Sequence, residues 1–107
     1  MTEKHLNGLR RLLPGWGFRR PIVLGDDGHH HTLEDASYDD CLGGAIKRAL
    51  LGRGFFVQVY TFPDGQSQVA VGNPLSSAPP EIATDALSNE LTALLEAVAL
   101  YFEVQDA

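Results

Sequence analysis

The stretch FFVQVYTFPDGQSQVAVG, residues 55–72, decides the fold. In its first half Val57, Val59 and Thr61 alternate with Phe56, Gln58, Tyr60 and Phe62, the period of two that places successive side chains on opposite faces of a strand. The β-branched and aromatic content suits a pleated, half-buried surface. Pro63-Asp64-Gly65 then forms a turn, with Gly65 where a positive φ is wanted, and QSQVAVG returns as the partner strand. A hairpin over 55–62/66–72 follows. Two strands alone are marginal in water, so the fold must add a third strand or cover the hairpin with helices.

Both neighbouring segments supply helices. On the N-terminal side Cys41/Leu42, Ala45/Ile46 and Ala49/Leu50 step by four, which puts them on one face of a helix over 37–51. Ser37 suits its N-cap, Asp39 and Asp40 its first turn, and Lys47 and Arg48 the end where the helix dipole favours cations. Gly52 or Gly54 supplies the left-handed stop. On the C-terminal side Ile82, Ala86, Leu87, Leu91, Leu94, Leu95, Val98 and Phe102 trace an apolar face of a helix over 80–104, entered at Pro79-Pro80. Further out, Leu6, Leu9, Leu12 and Leu13 predict a helix over 2–13 that stops at Pro14-Gly15. PIVL predicts a short third strand at 21–24. The expected fold class is α+β: a small antiparallel sheet packed by three helices, the longest C-terminal, in a single domain over 1–107, since 107 residues suffice for one core and not for two.

Charge is strongly segregated beneath the formal net charge of −6. Residues 1–24 hold Lys4, Arg10, Arg11, Arg19 and Arg20 against Glu3 alone, whereas residues 25–41 hold six acids and no Lys or Arg. Lys47, Arg48 and Arg53 follow, and beyond Arg53 come seven acids and no Lys or Arg. At 100° per residue Glu81, Asp85, Glu96 and Glu103 fall within about 60° of one another on the predicted last helix. Such an acidic stripe repels nucleic acid and attracts basic protein surfaces.

The segment GDDGHHHTLEDASYDDC, residues 25–41, collects three histidines, six acids and the chain's one cysteine. In an extended chain His29 and His31 share a side, and Asp26, Asp27 or Asp39 would complete a ligand set. Contiguous histidines lack the spacing of familiar zinc sites, so a solvated loop without metal is the expectation, and a small metal-binding protein is the alternative. Histidines crowded by carboxylates also suit a pH-responsive contact. Cys41 keeps the apolar step with Ala45 and Ile46, which predicts an inert, buried thiol and no catalytic residue. GLRRLLPGWG and GRGFF have neither dinucleotide-binding nor P-loop spacing, so no nucleotide cofactor is expected. The arginines around Trp16 and Phe18 have the makeup of a nucleic-acid surface, but beside fourteen acids they read better as intramolecular partners of the acidic loop. The longest apolar run is far short of the roughly 20 residues of a membrane span, and MTEKHLNGLRRLL has no signal-peptide pattern. A single cysteine fits a reducing compartment. The expected location is the cytoplasm.

The order of elements in AIKRALLGRGFFVQVYTFPDGQSQVAVG, followed by EIATDALSNELTALLEAV and preceded by a short helix ending at GW, resembles the phage ABA sandwich domain. The long His/Asp segment and the acidic last helix depart from that pattern, and the family transfers no catalytic residue. The resemblance implies a protein encoded by a phage or other mobile element, where small acidic inhibitors of host enzymes, anti-CRISPR proteins among them, are frequent. The expected function is a non-enzymatic acidic protein-binding module that blocks a basic, nucleic-acid-binding surface of a host protein, a CRISPR effector subunit being one such partner. The contact would use Asp26, Asp27, Glu34, Asp35, Glu81, Asp85, Glu96 and Glu103. An immunity or antitoxin protein against a basic nuclease toxin suits the same charge layout.

Overall fold

The computed structural model describes residues 3–19, 22–24, 30–32, 40–73 and 82–106. In chain order these form α1 (Glu3–Leu12), β1 (Gly17–Arg19), β2 (Ile22–Leu24), β3 (His30–Thr32), α2 (Asp40–Gly52), β4 (Phe56–Thr61), β5 (Ser67–Gly72), β6 (Ile82–Ala83) and α3 (Glu90–Asp106). The fold is α+β, with the longest helix at the C-terminal end.

The hairpin forms where its alternation places it. Phe56 pairs with Gly72 and Thr61 with Ser67, without a bulge between them. Pro63-Asp64-Gly65 reverses the chain: the Phe62 carbonyl accepts from Gly65 N, Asp64 Oδ1 accepts from Gln66 N, and Gly65 takes a φ of 88° that a side chain would strain. Val69 and Val71 are fully buried on one face, opposite Val59 and Val57. At the end of α2 the left-handed position is filled by Gly54, with φ 91°, which lets Phe55 N reach back to the Leu50 carbonyl before β4 begins.

The third strand of the hairpin sheet is Ile82–Ala83, not the segment at 21–24. Ile22–Leu24 is a strand, but it is the centre of a separate antiparallel sheet in the order β1-β2-β3, with β1 lying against α1. The predicted helix start at 80 is corrected for the same reason. β5 is a central strand, and its second edge carries N–H and C=O groups that need partners. Ile82 and Ala83 pair with Val71 and Ala70. Thr84 N then donates to the Val69 carbonyl, Thr84 Oγ1 accepts from Val69 N, and Leu87 exchanges two bonds of 2.8 Å with Ser67. Only afterwards does Asn89 cap α3, its Oδ1 accepting from Thr92 N at 2.8 Å. Ile82, Ala86 and Leu87 kept helical spacing with the residues beyond, yet serve the sheet.

The helices pack on the face that carries Val69 and Val71. α3 touches α1, α2, β5 and β6, so it is buried around most of its circumference: Leu91, Ala93, Leu94, Leu95, Ala97, Val98, Ala99, Tyr101 and Phe102 are all buried. Leu6, Leu9 and Leu12 of α1 and Leu42, Ala45, Ile46 and Leu50 of α2 complete the core, as their spacing predicts. Gly8 allows α1 to approach α3 closely, since a Cβ there would sit 3.0 Å from Val98 Cγ1.

Candidate functional surface

The charged residues singled out from the sequence do not form one helical stripe. Glu81 and the loop acids Asp26, Asp27, Glu34 and Asp35 lie outside the described residues. Asp85 is exposed in the connection before α3. Glu96 and Glu103 do share a face of α3, but that face is turned toward α1. Ion contacts between the two helices advance in the same direction along both, from His5 and Glu96 to Arg11 and Asp106, so α1 and α3 run side by side in parallel.

Three bases of α1 reach the acids of α3. Lys4 Nζ lies 3.0 Å from Glu103 Oε1 and 3.5 Å from Glu96 Oε1. His5 Nε2 donates to Glu96 Oε2 at 2.9 Å. Arg11 holds Asp106 with two bonds, at 2.7 and 3.0 Å. From α2, Lys47 Nζ meets Glu90 Oε1 at 3.0 Å. The His5 hydrogen bond, with the Lys4 charge beside it, holds the Glu96 carboxyl below its ordinary range, against a desolvation that works the other way. The two Arg11 bonds do the same for Asp106. The acids after Arg53, which have no Lys or Arg following them in the chain, thus find bases through tertiary contacts with α1 and α2.

The C-terminal end of α3 has no base of its own in the last turn, although a helix dipole favours cations there. Two arrive from elsewhere. The Arg11 guanidinium lies 4.2 Å from the Phe102 ring centroid, and Arg53 lies 5.4 Å from the same ring and 5.8 Å from that of Tyr101. Between α1 and α3 this leaves an open groove of ≈ 370 Å³, with Gly8, Ala99 and Phe102 along it and Lys4, Asn7, Arg11, Glu103 and Asp106 around it. The charges bordering it satisfy each other.

His30 and His31 lie in β3, paired with Leu24 and Val23, while His29 lies outside the described residues. Among the described residues no three His, Cys, Asp or Glu side chains are gathered as metal ligands. Cys41 falls in the first turn of α2. No helix among the described residues is long and apolar enough to cross a membrane. Sequence reasoning missed Lys4, His5 and Arg11 as partners of α3. A signal was present: Lys4 and Arg11 are seven residues apart, as are Glu96 and Glu103, so each pair marks one face of its helix. No family model, curated protein or solved structure matches the chain, and the resemblance to the phage ABA sandwich domain rests on the order of elements alone.

Proposed function

We propose that the chain is a non-enzymatic, acidic protein-binding module for a basic surface of a host protein, and in its specific form an inhibitor of the anti-CRISPR kind that covers a nucleic-acid-binding surface. The observation that supports this reading is the charge left over after internal pairing. Lys4, Arg11 and Lys47 are taken up by Glu96 and Glu103, Asp106 and Glu90. Asp64 and Asp85 have no opposite charge beside them among the described residues, and residues 25–41 contribute six acids with no Lys or Arg of their own. The proposed contact therefore shifts from Glu96 and Glu103 toward Asp26, Asp27, Glu34, Asp35, Glu81 and Asp85.

The test uses the immobilised protein and the heparin-binding fraction of a bacterial lysate, in which basic nucleic-acid-binding proteins are enriched. A partner held by this field should be released as salt rises, compete with DNA for the chain, and be lost when Asp26, Asp27, Glu34 and Asp35 are changed to Lys. Retention that is indifferent to salt, to DNA and to the fourfold variant would remove the acidic reading, as would no retention at all.

A further inference from the structure

β4 is the edge of its sheet. It pairs with β5 on one side, and among the described residues its other edge has no strand and no hydrogen-bond partner. Such an edge is a template for another strand, and proteins blunt it with charge, proline or a bulge. FVQVYT contains no charge and no proline, and its register with β5 is unbroken. Tyr60 is 50% exposed on it, and Phe62, just beyond, is 41% exposed.

We propose that this edge pairs antiparallel with β4 of a second copy, about a two-fold axis through Gln58, so that two three-stranded sheets become one of six strands. The faces limit the register to those that keep parity, and the proposed pair takes the one centred on an exposed polar residue of the strand, Gln58. Val57 and Val59 turn toward the helical layer, so residues opposed across the new pair must keep the same parity. A two-fold axis at Gln58 sets Gln58 against Gln58, Val57 against Val59 of the second copy, and Phe56 against Tyr60 of the second copy. The last is an aromatic cross-strand pair of the stabilising kind. An isologous contact of this sort closes on itself.

Charge points to the same occupant. A chain of net charge −6 repels its own copy over most surfaces, and β4 is a neutral strip. The antiparallel register brings the chain entering one β4, at Arg53, alongside the chain leaving the other, at Pro63-Asp64. Among the described residues of its own copy neither Arg53 nor Asp64 has an ion-pair partner: Arg53 meets the Arg11 carbonyl and two aromatic rings, and Asp64 the Gln66 amide. Each would gain one, twice by symmetry.

Light scattering on the eluting full-length protein, from low micromolar to millimolar loading, should give twice the chain mass of 11.6 kDa at the upper end. Gln58→Lys sets two ammonium groups against each other on the axis and should return a single-chain mass with an unchanged circular dichroism spectrum. In a Cys41→Ser background, Gln58→Cys should crosslink under mild oxidation, because directly opposed residues stand about 4.5–5.5 Å apart between Cα atoms, within disulfide reach. Thr61→Cys should not, since this register separates the two copies of that position by about 20 Å. A single-chain mass at every concentration, a dimer untouched by Gln58→Lys, or crosslinking at 61 in place of 58 overturns the proposal. Where Gln58→Lys fails to fold, the two cysteine variants decide.

Discussion

His5 Nε2 lies 2.9 Å from Glu96 Oε2, joining the first turn of α1 to the middle of α3 across 91 positions of sequence. Both side chains are largely withdrawn from water, at 13% and 29% exposure. The contact sits beside the close approach of Gly8 to Val98 and therefore acts where the two helices are already held together.

Its contribution should depend on pH in a defined direction. Folding lowers the Glu96 carboxyl below its ordinary value of 4.5, chiefly through the His5 hydrogen bond and then through the Lys4 charge. A group depressed on folding stabilises fully above its unfolded value, and the stabilisation is lost as pH falls through the native one. Glu96→Gln should cost about 1 kcal/mol at pH 7, a moderate figure because the site keeps some contact with water. Urea melts of both proteins should converge as the pH drops below the carboxylate range. A gap that stays constant into acid would show that Glu96 acts by packing alone.

Gly8 should tolerate no larger side chain. A Cβ already meets Val98 Cγ1 at 3.0 Å, and the neighbouring atoms of Val98 and Ala99 are backbone. Gly8→Val is expected to destabilise by about 1–3 kcal/mol through overpacking, despite removing a helix-weakening glycine. A denaturant midpoint at or above wild type would show that α1 can shift outward freely.

The true start of α3 can be checked by its cap. Asn89→Ala removes the bond from Thr92 N and should cost about 1 kcal/mol. Substituting Ser37, expected from sequence to cap α2, provides the parallel measurement for a position outside the described residues. If Asn89→Ala leaves the midpoint unmoved, the helix draws its entry geometry from the Ser67–Leu87 bridge instead.

Charge reversal should separate structural acids from free ones. Glu96→Lys with Glu103→Lys sets two new cations against Lys4 and His5 and should lower the thermal midpoint, most clearly at low salt. Asp85→Lys, at an exposed position outside α3 with no base beside it among the described residues, should leave the midpoint where it is. Equal effects at the two sites would mean that the interhelical pairs carry no net stabilisation.

The elements carried by short-range pattern were determined by the sequence itself. The alternation from Phe56 to Thr61, the four-residue steps of Leu42, Ala45, Ile46 and Leu50, and the leucines of α1 each report which side of one element is apolar, and burial follows that side. Glycine chemistry likewise placed the turn at Gly65 and the stop at Gly54, because a positive φ is a local requirement. What needed the tertiary structure were the matters that two elements settle between them. Ile82 and Leu87 fit a helix by spacing, but the unpaired edge of β5 claimed their backbone, and hydrogen bonds of a central strand outweigh a weak helical preference. Glu96 and Glu103 look uncompensated along the chain because the nearest basic residue in sequence is far away. Lys4 pairs with both since charges interact through distance in space, and only the packing of α1 on α3 makes that distance 3.0–3.5 Å.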